Sequence, residues 1–177
     1  MDWKAADKEM TTRIVEEGQT YLDGQLRLAT SADGRAAALA GVFTAAAAAL
    51  MAGLIALTIA SKLEFADKYP IYLGGGVAAL LFLVAAAHCI AAILPIGFWL
   101  PGNEPSSWYG DIESKKAMAE ALGEEAEHIQ SKIDENRTVL NRNARLFKRA
   151  AILGICAPTA GAILWLISSS SVWAMGR

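Results

Sequence analysis

Few side chains in this sequence are suited to chemistry, and their spacing decides what each can do. His128 stands beside Glu124, Glu125 and Glu127 in a charged stretch. A metal site on a helix needs its ligands on one face, and only Glu124 and Glu125 lie one turn from His128, so the pattern reads as a solvated charged face. His88 instead falls in an apolar stretch, where an ionisable group is by default a candidate for function. A neutral imidazole there is equally well satisfied by a Ser, a Thr or a backbone carbonyl freed by Pro95. Cys89 and Cys156 also fall in apolar stretches and read as small apolar residues, with neither a disulfide framework nor thiol chemistry. No Ser/His/Asp, Cys/His or paired-carboxylate pattern suited to catalysis is present, so the expectation is a protein that is not an enzyme and needs no cofactor. The triple glycine Gly74-Gly75-Gly76 lacks the strand, lysine and Ser/Thr of a phosphate loop. Arg142, Arg145, Lys148 and Arg149 form a basic run suited to phosphate, with lipid headgroups its first partner and a ligand's phosphate its second.

These residues are positioned by apolar segments. Arg35 to Ala60 carries no charge after Arg35, and at a rise of ~1.5 Å per residue it is long enough to cross a ~30 Å hydrocarbon core. Ile71 to Leu100 and Ala150 to Ile167 repeat the pattern, which gives three spans. The expected fold is an all-α membrane protein. Its parts are an amphipathic helix in 1–34, spans in 35–60, 71–100 and 150–172, an outer loop in 61–70, a central helical segment in 101–149 and an outer tail in 173–177. The seven acidic side chains among the first 34 residues argue against a cleavable leader. Five Lys/Arg precede the first span, two lie in the first connection, eight lie between the second and third spans and one follows the third. The positive-inside rule then puts the N-terminus and central segment in the cytoplasm and the C-terminus outside, as in a bacterial inner membrane. A formal net charge of −2 implies no nucleic-acid partner.

Within the first span Ala37, Gly41, Ala45, Ala49 and Gly53 form a row at spacing four, and Ala157 and Gly161 repeat the motif in the third. Small rows let helix backbones approach, which matters in lipid because the hydrophobic effect gives helices little reason to associate. The row predicts a helix-packing surface, facing either the chain's own spans or a second copy. No Asp, Glu, Lys or Arg lies deep in any span, so a proton relay lacks parts, and a pore lined by residues such as Thr44, Thr58 and Thr159 is poorly selective. Pro158 predicts a kink in the third span. Trp99, Trp108 and Trp173 are expected at membrane interfaces.

Two polar segments remain. Ile14, Val15, Gly18, Tyr21, Leu22, Leu28 and Ala29 recur at helical spacing, which predicts a helix that packs on another helix or lies on the bilayer. From Asp111 to Arg149, Ala119, Leu122, Ala126, Ile129, Ile133, Asn136, Leu140, Asn143 and Phe147 alternate at spacings of three and four as in a coiled-coil seam, with two asparagines inside it. A straight helix of that length reaches ~55–60 Å, so Gly123 is the expected break. Asp33 is expected in the first turn of the incoming span, where its carboxylate suits the positive helix end.

The motif Ala32-Asp33-Gly34-Arg35-Ala36, a second span ending at Pro95, and a charged helix with a basic end running into the last span together form a known order of parts. That order resembles the transmembrane effector domain of bacterial Pycsar anti-phage systems, with Asp33 and Arg35 as its motif residues. The resemblance implies an inner-membrane protein that oligomerises on a cyclic-nucleotide signal and damages the membrane of an infected cell. The other function compatible with the segments is a scaffold or accessory subunit that packs against a larger membrane partner.

Overall fold

The computed structural model describes residues 3, 7–60, 65–94 and 96–175. Expectations that fall on the first residues, on 61–64, on Pro95 and on the last two residues lie outside the described residues, as does the side chain of Trp173. Among the described residues every regular element is helical: α1 (Lys8–Ala60), α2 (Phe65–Ile93), a short 3-10 turn (Pro105–Trp108), α3 (Tyr109–Glu113) and α4 (Met118–Met175). Three helices are long and apolar enough to cross a membrane. The protein is an all-α membrane protein.

Three local expectations change. Lys8–Ala60 is one uninterrupted helix, so Asp33 sits mid-helix and not in a first turn. The 31–36 stretch contains no proline, and one glycine among helix-forming alanines does not overcome propagation. α2 starts at Phe65 with Pro70 near its beginning and ends at Ile93, while residues 96–100 are non-helical. The break in the central segment lies at 114–117 and not at Gly123, which sits inside α4. There the Lys116 and Lys115 amides donate to the carbonyls of Asp111 and Ile112, closing α3 with Lys115 in the left-handed region at φ 54°. This is a Schellman cap with lysine where glycine is usual. α4 continues through Pro158.

The described residues divide into two compact units. The polar unit takes those within Met1–Ala32 and Pro95–Arg142, the apolar unit those within Asp33–Leu94 and Asn143–Arg177. In the polar unit Leu22, Ile129 and Ile133 form the core, with Val15 against them, so the seam of α4 meets the inner stripe of α1 within the chain. Gly18 gives Ile129 room: a Cβ there would stand 2.7 Å from its Cγ2.

In the apolar unit Ala36, Ala40, Phe43, Ala85, Ala86, Cys89 and Ala150 make the core, and the Phe43 and Phe82 rings stack at 6.0 Å. Small residues set the helix spacing. A Cβ on Gly74 would stand 2.5 Å from the Gly161 carbonyl oxygen, and one on Gly161 would stand 2.8 Å from that of Gly74. Backbone therefore meets backbone where α2 crosses α4, the close packing that association in lipid depends on. Hydroxyls along the apolar helices bond to carbonyls three or four residues back, as Thr58 does to Leu54 and Ser168 to Leu164. Such back-bonding satisfies a hydroxyl where no water is at hand.

Candidate functional site

The non-helical segment 96–104 crosses the polar unit and is held there by side chains from two helices. Asn136, wholly buried, accepts from the Trp99 amide at 2.8 Å and donates to the Trp99 carbonyl at 3.0 Å. Its seam position supplies a polar group that a backbone without helical partners requires. The Trp99 indole N–H donates to Glu135 at 2.6 Å. Gln19 of α1 accepts from the Gly102 amide, and Gly102 adopts φ 87°, a conformation that suits glycine. The Trp99 indole and backbone are thus both bonded to α4.

Beyond Gly102, Asn103 donates to Glu125 Oε2 at 2.5 Å and accepts from Lys132 Nζ at 2.5 Å. The turn that follows is closed by Ser107, whose amide and hydroxyl both donate to the Glu104 carbonyl. Lys116 bridges Asp111 at 2.8 Å and Glu124 at 2.7 Å, tying α3 to α4, and those two carboxylates hold its ammonium above the usual lysine range.

Together these elements border an open cavity of about 400 Å³ lined by Trp99, Asn103, Trp108, Glu125, His128 and Lys132, among others. Glu125 is 7% exposed, and its Oε1 has no hydrogen-bond partner among the described residues. Indole side chains, one unpaired carboxylate oxygen and a lysine thus border one space. His128, Glu124 and Glu125 border this space, whereas Glu127 accepts from the Trp3 indole at 2.8 Å, which lowers its pKa. Gly123 faces that same ring: a Cβ there would stand 2.1 Å from it, so the glycine admits Trp3 and does not break the helix. Among the described residues no group of three His, Cys, Asp or Glu is placed to hold a metal ion. The cavity's signal in the sequence was the pair of tryptophans flanking the Asn103–Ser107 turn.

The remaining predicted residues are distributed as follows. His88 is half-buried, and its Nδ1 lies 2.9 Å from the Val84 carbonyl of its own helix. Arg35, Arg142, Arg145, Lys148 and Arg149 are exposed, and none of them borders the cavity. Ala37, Gly41, Ala45, Ala49 and Gly53 are all exposed, while Ala36, Ala40, Phe43 and Ala47, one or two positions aside, are buried. Ala49 and Gly53 also border an apolar groove of about 790 Å³, with Gly74, Gly161 and Trp165 on its other sides. Ala157 is fully buried.

The family model of the Pycsar effector protein domain, PycTM, matches residues 21–169. The chain belongs to this family. Comparison with curated proteins and with solved structures gives no match. As a Pycsar effector domain with three apolar helices of spanning length, it is a membrane effector of anti-phage defence. The match begins within α1 and ends within the apolar part of α4, so it takes in helices of both units.

Proposed function

We propose that this protein is a non-enzymatic effector of the bacterial inner membrane that self-assembles on a cyclic-nucleotide signal and breaches the bilayer. Family membership, joined to three helices of spanning length, carries this reading. The distribution of lysine and arginine supports an orientation with the polar unit in the cytoplasm, where a nucleotide signal is made, and the C-terminus outside. Arg145, Lys148 and Arg149, at the start of the last apolar segment, then lie at headgroup depth, as does Arg35.

Self-assembly is supported by the outer face of α1. Phe43 and its alanine neighbours bury one face of the helix, while Ala37, Gly41 and Ala45 of the small row are left exposed away from the apolar groove. A face of that composition gains most when another backbone packs on it, and a second copy supplies one. Without a charged side chain deep in any span, the breach it forms discriminates weakly among ions.

The test is membrane potential in cells expressing the chain, read with a voltage-sensitive dye with and without added cyclic nucleotide. Nucleotide-dependent depolarisation is the expected result. Replacing Ala45 and Ala49 with leucine is expected to abolish it and to shrink the oligomer in detergent. A chain that inserts correctly and leaves the potential normal under every condition refutes the effector reading and favours a scaffold.

A further inference from the structure

The triple glycine of α2 meets three different surroundings. A Cβ on Gly74 would stand 2.5 Å from the Gly161 carbonyl oxygen and 3.0 Å from the Trp165 Cβ, both of α4. One on Gly75 would stand 3.1 Å from Leu54 Cδ2 of α1, and one on Gly76 would meet nothing within 4 Å. Gly74 and Gly75 therefore floor the apolar groove of about 790 Å³, with Leu54 and Trp165 against that floor from the two neighbouring helices. Leu50, Leu54 and Leu57, all half-buried, present one helical stripe of α1 to the same groove. That stripe faces the chain's own helices without being closed on them.

Depth decides what fills such a space. The core around Phe43, Ala85, Cys89 and Ala150 takes one end of the apolar unit. The groove takes the other, between 46 and 57 of α1, 71 and 82 of α2, and 158 and 165 of α4, and none of its lining side chains is charged. At ~1.5 Å per residue the α1 stretch runs ~16–18 Å, about half of a ~30 Å hydrocarbon core and so about one leaflet. Another helix or an acyl chain could lie there. A helix with its side chains is ~10–12 Å across and meets Leu54 and Trp165 before it reaches the glycines. A polymethylene chain is one carbon wide, and a groove left empty forfeits the dispersion contacts of its walls.

We infer that this groove seats one acyl chain of a membrane phospholipid, in the leaflet away from Arg35 and Arg149, as a fixed component of the apolar unit. The chain touches α1, α2 and α4 at once, which distinguishes it from the lipids that exchange around the outside of the helices.

The test is native mass spectrometry of the full chain released from phosphatidylglycerol nanodiscs into mild detergent, which reads lipids and copies in the same spectrum. One phospholipid per chain is expected to survive activation that strips the rest. Gly53→Leu and Ala162→Leu put side chains into the groove from α1 and α4, and a Cβ on Gly53 meets nothing within 4 Å. Each is expected to lower the retained fraction at least about tenfold, the scale of two methylenes no longer buried. Gly76→Leu, equally open but outside the groove, is expected to keep the lipid, with helicity and thermal midpoint checked in all three variants. A wild-type chain that carries no phospholipid overturns the inference, as does equal retention in the three variants. If Gly53→Leu splits an oligomer and leaves its lipid in place, the groove belongs to a second copy and the inference is overturned as well.

Discussion

Asn136→Leu tests whether the 96–104 segment is held by one buried amide. Leucine fills nearly the same volume but removes both bonds to the Trp99 backbone, at 2.8 and 3.0 Å. An unpaired buried main-chain group costs ~1–3 kcal/mol, and two would approach twice that if water were excluded. Both bonds are only partly buried, so the expected loss is about 2–3 kcal/mol. The indole bond to Glu135 survives, so the segment opens locally while the helices stay folded. At about 1.4 kcal/mol per decade, the opening constant rises roughly 30- to 150-fold. Hydrogen exchange of the full chain in nanodiscs reads this directly as lost protection of the Trp99 amide. Asn136→Asp keeps the acceptor for that amide but sets an oxygen against the Trp99 carbonyl, and is expected to lie between wild type and leucine. Unchanged protection in Asn136→Leu with normal helicity refutes the clamp.

Three further outcomes follow from the geometry. Gly161→Ala puts a Cβ 2.8 Å from the Gly74 carbonyl oxygen, which cannot rotate away, and is expected to cost ~1–3 kcal/mol, seen as a lower thermal midpoint in nanodiscs; an unchanged midpoint would mean the crossing is loose. Lys115→Gly relieves a left-handed lysine and is expected to stabilise the chain by about 0.5–1 kcal/mol in chemical unfolding, with a loss of stability counting against the cap. The Trp3 indole lowers the pKa of Glu127, so their contact stabilises the fold fully above the usual carboxylate pKa of about 4.3 and is lost as pH falls through the depressed folded value. The stability difference between wild type and Trp3→Phe should be flat from pH 7 to about 5 and shrink below that; a difference that grows on acidification would reverse the assignment.

The helical class and the three apolar segments were legible because length and hydrophobic runs are properties of contiguous sequence. The face that α4 turns to α1 was legible for the same reason: Ile129, Ile133 and Asn136 share a spacing, and all three are buried. Helix ends were less legible because competing signals act over one or two residues. A glycine at 123 reads as a breaker until a distant tryptophan is found to occupy the space its missing side chain leaves. The stop at 114–117 carries neither glycine nor proline and depends on a lysine tolerated at positive φ.

The cavity was hidden for a deeper reason. Its residues fall in three sequence contexts that each have a sufficient local explanation: tryptophans near an apolar segment, polar residues in a turn, and carboxylates on a charged helix. Long-range side-chain bonds join them, Asn103 reaching 22 residues to Glu125 and 29 to Lys132 and Trp99 reaching 37 to Asn136, and spacings of that kind have no periodicity to betray them. Because α2 ends at Ile93, a ligand that displaces Asn103 or Trp99 acts on backbone only a few residues from an apolar helix. In the proposed effector, a signal read in the polar unit has a covalent route to the bilayer through that segment. Asn136 holds that segment at Trp99, so a clamp weakened by Asn136→Leu is expected to shift the nucleotide concentration for depolarisation without altering the membrane helices. A wild-type dose response in that variant would mean that the signal travels along α1 or α4 instead.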